Sequence, residues 1–115
     1  MTKKEITIAG QTVTMAYCFA TEIGFKKMSG QGIEEFDAKN QEHVIYLILS
    51  AISAYYQSIG EEMPIKSETF MFDCKPNEII EAMKVVFELR MEWYELPFGD
   101  DEKEEEKEGD ETKND

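Results

Sequence analysis

Residues 5–17 read EITIAGQTVTMAY, and the reading of this stretch decides the fold. Apolar side chains alternate with polar ones at Ile6 and Ile8, and again at Val13, Met15 and Tyr17, which is the period of a half-buried strand. Gly10-Gln11 stands between the two runs, so the spacing predicts a β-hairpin with a two-residue Gly-x turn of type II′. Pairing Ala9 with Thr12 then sets Ile8 opposite Val13 and Ile6 opposite Met15, all on one face. Such a hairpin has one apolar side that must be covered by something else.

Beyond Tyr17 the period becomes helical. Phe19, Ile23 and Lys26 or Lys27 fit a helix over about 18–28, and Ser29-Gly30-Gln31-Gly32 supplies its stop. Ile33-Glu34-Glu35-Phe36 fits one further turn. Asn40 is a good N-cap for a helix over about 41–59, with Val44, Leu47, Ile48, Ala51, Ile52, Tyr55 and Ile59 on one stripe. Ile45, Leu49 and Tyr56 add a second apolar face, so this helix is expected at the centre of the domain. After the break at Met63-Pro64-Ile65, a short helix over 67–73 is expected to carry Phe70, Met71 and Phe72 to the core. Pro76 suits the first turn of a last helix over 76–96, with a stripe of Ile79, Ile80, Met83, Val86, Phe87, Arg90, Trp93 and Tyr94. The expected class is α+β, mostly α: an N-terminal hairpin over 5–17 and three to four helices in a single domain, residues 1–98.

Charge divides the chain unevenly. The 115 residues hold 25 acidic and 12 basic side chains, a formal charge of −13. Residues 99–115, GDDEKEEEKEGDETKND, contribute −7 of it and contain no apolar side chain. A segment of this composition cannot offset its ordering entropy by burial, so a disordered, solubilising tail is expected after Pro97. The acidity disfavours nucleic acid, whose binding is driven by release of counterions from phosphates, and anionic membrane surfaces. The most apolar stretch, Val44 to Tyr56, is too short to span a bilayer, and no apolar segment follows Met1-Thr2-Lys3-Lys4-Glu5 to make a secretory signal. Cys18 and Cys74 have no metal-ligand or disulfide spacing and read as core thiols of a reducing cytoplasm.

Catalytic constellations are not legible. His43, the single histidine, lies in the first turn of the long helix, where an exposed or half-buried position without a catalytic task is expected. Glu34-Glu35-Asp37 lacks the alternate-residue spacing of a calcium loop and reads as a solvated face. Met28-Ser29-Gly30-Gln31-Gly32 follows a helix and lacks the Gly-Lys-Ser/Thr end of a phosphate loop. The chain therefore reads as a non-enzyme with no cofactor and no metal.

Methionines and aromatics are abundant for a domain of this size, and adaptable Met beside aromatic anchors is what protein-binding surfaces use. Tyr55, Tyr56, Met63, Met91, Trp93, Tyr94 and Phe98 are the candidate contact residues. Trp93, Tyr94 and Phe98 are the foremost, because they stand where the last helix gives way to the tail.

The succession of elements resembles a known family. A short hairpin is followed by a helix ending in Phe25-Lys26-Lys27-Met28-Ser29-Gly30 and by Ile33-Glu34-Glu35-Phe36-Asp37. A long aliphatic helix comes next, then Pro64-Ile65-Lys66-Ser67-Glu68 leading to Phe70 and Asp73, and a final helix before a polar tail. Over residues 5–97 this order is similar to the tail assembly chaperones of long-tailed bacteriophages and prophages. The resemblance implies a non-enzymatic protein of the bacterial host cytoplasm that binds the long, helical tape measure protein and assists assembly of the tail tube around it. It also implies contact with the tail tube protein, self-association into a homo-oligomer, and in some members a longer frameshifted form. An alternative that fits the acidity is a DNA mimic, with carboxylates standing in for phosphates in the groove of a nucleic-acid enzyme. Its weakness is that the domain's carboxylates are interleaved with nine basic residues.

Overall fold

The computed structural model describes residues 1–95; residues 96–115, which include Phe98 and the acidic tail, lie outside the described part. The α+β class is as expected: an antiparallel hairpin precedes four helices. Strand β1 (Thr2–Ile8) pairs with β2 (Gln11–Tyr17), and helices α1 (Phe19–Ser29), α2 (Gln41–Ser58), α3 (Ser67–Asp73) and α4 (Pro76–Glu95) follow. A single 3-10 turn, Ile33–Glu35, sits between α1 and α2.

The hairpin corrects the expected register. Ile8 pairs with Gln11, Ile6 with Val13 and Thr2 with Tyr17, so the turn is Ala9-Gly10 and not Gly10-Gln11. Both turn residues have positive φ, 51° at Ala9 and 78° at Gly10, as in a type I′ turn. The shift of two residues preserves the side-chain parity, so the same apolar residues still share a face. It also pairs β1 back to Thr2, and those added pairs offset the strain of an alanine in the left-handed region.

The apolar face carries Ile8, Val13, Met15 and Tyr17, all fully buried. Beneath it lies α2, whose buried residues Leu47, Ile48, Leu49, Ser50, Ala51 and Ile52 point in several directions. The expectation of a central helix holds. Asn40 caps it, its Oδ1 accepting from the N–H groups of Glu42 and His43 at 2.9 and 3.2 Å. Helix α1 lies close on α2 at Gly24, where a built Cβ would come within 3.2 Å of Ser50 Oγ.

Four expectations are overturned by packing. His43 is buried, 6% exposed, edge-on to Phe25 and stacked on Phe36. Its Nδ1 accepts from the Asp37 N–H at 3.1 Å and its Nε2 lies 2.8 Å from Gln31 Oε1, so the imidazole ties the 31–37 loop to α2. Only Phe70 of α3 reaches the core; Met71 and Phe72 are exposed, Phe72 at 86%, because a seven-residue helix can turn one narrow face inward. Cys18 and Cys74 are free thiols, half-buried and not in the core. On α4 the buried stripe is Ala82, Val85, Val86 and Leu89, while Ile80, Phe87 and Tyr94 of the expected stripe are exposed. Among the described residues no helix is long and apolar enough to cross a membrane.

Candidate functional site

Helix α4 has two apolar seams, and this is what builds the site. The seam of Ala82, Val85, Val86 and Leu89 closes on the hairpin and α2. The second seam, Ile79, Ile80, Met83 and Phe87, turns the other way and forms one wall of an open groove. Val44 and Ile45 from the first half of α2, with Ala38 and Gln41 beside them, form the opposite wall. Cys74 and Pro76 also line it, and among the described residues Lys84 is the single charged side chain in the lining. The groove encloses about 650 Å³, room for several aliphatic side chains.

Local chemistry fixes the walls. At the start of α4, Glu78 Oε1 accepts from the Lys75 N–H at 2.8 Å and from the Ala9 N–H at 3.4 Å, so one carboxylate caps the helix and clasps the hairpin turn to it. The Lys75 N–H foremost, aided by the Ala9 N–H, holds the Glu78 carboxyl below its ordinary value. Burial, followed by the charge of Glu78, pushes the Cys74 thiol up to about 11, which leaves it protonated and unreactive in the groove. At the other wall, His43 and Asn40 hold the loop that carries Ala38 against the first turn of α2.

A second apolar surface lies where the end of α4 crosses α1. Trp93 is half-buried between Tyr17 and Phe19, with ring centroids at 5.5 and 4.8 Å. Phe19 remains 70% exposed, and Ile23, one turn on, is exposed as well. Glu22 Oε2 accepts from the hydroxyls of both Tyr17 and Tyr94, at 2.9 and 2.7 Å. Burial, reinforced by Glu22, raises the Tyr17 phenol; for Tyr94 the hydrogen bond to Glu22 comes first. The Arg90 guanidinium lies over the Tyr94 ring, 4.8 Å from its centroid. This cluster is a fastening between α1 and α4 with an apolar rim.

The sequence-derived candidates divide between these places. Met91 and Tyr94 are exposed, 61% and 55%, and Trp93 is half-buried beside them. Tyr55 and Tyr56 are half-buried in the seam between α2 and the hairpin, and Met63 packs on the core. Tyr56 has a structural task, its hydroxyl accepting from the Thr14 N–H at 3.2 Å. Phe98 lies outside the described residues. Periodicity places the groove residues Val44, Ile45, Ile79, Ile80, Met83 and Phe87 on apolar helix faces expected to pack in the core. The signal for their second role was the width of those faces, since a helix packed on one side needs a narrower one.

Among the described residues no group of His, Cys, Asp and Glu is placed to hold a metal ion. No protein-family model, no characterised protein and no solved structure matches this chain.

Proposed function

We propose that this protein is a non-enzymatic tail assembly chaperone of the bacterial cytoplasm that holds the tape measure protein soluble while the tail tube assembles around it. The observation that supports this reading is the open apolar groove between α2 and α4, with Ile80 exposed on its rim. A groove of this form suits a helical client, which would lay an apolar stripe of i, i+3, i+4 and i+7 side chains between the two walls. Burying two or three large aliphatic side chains there supplies roughly 1.5–3 kcal/mol each before ordering costs, enough for a reversible hold on a long repetitive helix. The acidity of the chain, −13 in all, would keep the complex dispersed.

The test is co-expression with the tape measure protein encoded beside it. The parent chain should keep that protein in the supernatant, and the pair Ile80→Asp with Phe87→Ser should release it to the pellet while the variant itself stays folded by circular dichroism. Precipitation of the tape measure protein with the parent chain present would sink the chaperone reading. Equal protection by the parent and the folded double variant would remove the groove from it.

A further inference from the structure

The two edges of the hairpin are treated differently. In an antiparallel ladder that closes on a two-residue turn at Ile8 and Gln11, hydrogen-bonded and non-hydrogen-bonded pairs alternate from that point. Lys3–Ala16, Glu5–Thr14 and Thr7–Thr12 are thus the pairs whose backbone groups point outward. On the β2 side two of the six groups are bonded: the Thr14 N–H by the Tyr56 hydroxyl at 3.2 Å, and the Ala16 carbonyl by the Thr21 hydroxyl at 2.8 Å. On the β1 side, the N–H and C=O groups of Lys3, Glu5 and Thr7 find no partner among the described residues. Helix α4 packs along the buried face of β1, with Lys4 Nζ 3.7 Å from Glu88 Oε1, and Lys3, Glu5 and Thr7 on the edge are exposed.

We infer that the open edge of β1 pairs antiparallel with β1 of a second copy of this chain, joining two hairpins into a four-stranded sheet. Charge selects the register. Outward-pointing residues must oppose one another, and a two-fold axis within the charged run passes at Lys3, Lys4 or Glu5. An axis at Glu5 sets Glu5 against its own copy, and an axis at Lys3 sets Lys3 against its own copy. An axis at Lys4 sets Lys3 opposite Glu5 twice, on one face, with Cβ atoms roughly 5 Å apart. Lys4 then meets its copy on the other face, and each already has Glu88 as a counter-charge. Among the described residues the Lys3 ammonium is engaged with the Tyr55 ring alone, 5.4 Å from the centroid, and with no carboxylate. The dimer's sheet then ends on both sides in β2, where Tyr56 and Thr21 each bind one outward backbone group, and the bare β1 edge is paired.

This inference does not depend on the chaperone reading and is tested by association alone. Sedimentation velocity of the full chain should show a monomer–dimer equilibrium between about 10 and about 500 µM, as fits a small interface. Lys3→Glu and Glu5→Lys should each weaken it by about tenfold or more, because two attractive pairs become repulsive. An equimolar mixture of the two variants should dimerise like the parent, since opposite charges then face each other again in both cross-strand pairs. Glu5→Pro removes an outward N–H without touching the β1–β2 ladder, and should give a folded monomer by circular dichroism. A parent chain that stays monomeric throughout this range, or single variants that dimerise as well as the parent, would overturn the proposal. A mixture that fails to associate would overturn the register.

Discussion

Substituting Ala9 tests the turn directly, because the two possible turns assign this residue opposite conformations. In the structure Ala9 is the first residue of an Ala9-Gly10 turn with φ of 51°, a region where an L-residue with a Cβ costs roughly 1–2 kcal/mol. Asn tolerates that region and is the preferred residue before Gly in a type I′ turn. The N–H of Ala9 that bonds Glu78 is kept by the substitution, and the half-buried methyl loses only part of its contact. Ala9→Asn should therefore stabilise the fold by about 0.5–1.5 kcal/mol, a rise in Tm of roughly 2–10 °C for a domain of this size. Ala9→Val should do the reverse, losing roughly 1–2 kcal/mol, because a β-branched side chain is poorly accommodated at positive φ. With a Gly10-Gln11 turn, residue 9 would be in a strand, where Val is favoured and Asn disfavoured. Thermal melts of the three proteins followed at 222 nm decide the matter. Val above Asn in Tm would refute the Ala9-Gly10 turn and the register that follows from it.

Two further outcomes follow from the packing. The Glu78 carboxyl is held below its ordinary value of 4.5, so its bonds to Lys75 and Ala9 contribute stability above the unfolded value and lose it as pH falls through the folded one. The parent's advantage in Tm over Glu78→Gln should be constant near neutrality and should shrink below about pH 4.5; an advantage that persists unchanged at lower pH would show that the charge is not involved. In α3, Phe70→Ala should cost about 3–5 kcal/mol as a core truncation, while Phe72→Ser should stay within about 0.5 kcal/mol. Urea denaturation giving comparable losses for both would mean that the assignment of the inward face of α3 is wrong.

None of the described contact candidates read from the sequence lines the groove, and only the apolar character of its walls is legible there. Periodicity places one stripe on the last helix, Ile79, Ile80, Met83, Val86, Phe87, Arg90, Trp93 and Tyr94, which shares only Val86 with the buried seam. What periodicity misses is the buried seam of Ala82, Val85 and Leu89, which closes on the hairpin and α2, while Ile79, Ile80, Met83 and Phe87 of the expected stripe line the groove. The difference between them is a rotation of about one residue around the helix axis, or about 100°, which depends on where the hairpin sits. Tyr55 and Tyr56 show the converse. Their chemistry marks them as possible anchors, yet their rings pack edge to face between α2 and the hairpin, Tyr55 under the Lys3 ammonium and Tyr56 with its hydroxyl on the Thr14 N–H.

By itself the sequence determined the order and kind of the elements. Alternation of period two up to Tyr17, helical spacing after it, the Asn40 cap and Pro76 in a first turn are local signals, set by backbone sterics and short-range hydrogen bonds. The tertiary structure decided everything that depends on which surfaces meet. A two-residue slip of the hairpin leaves every side chain on its own face, so the sequence pattern is blind to it, and only the length of pairing and the grip of Glu78 on the turn select the register. His43 became a buried tie because Phe25, Phe36 and Gln31, distant in the chain, converge on it. The open groove and the open edge of β1 are likewise properties of what the other elements leave uncovered, a sum over long-range contacts that no local window of sequence contains.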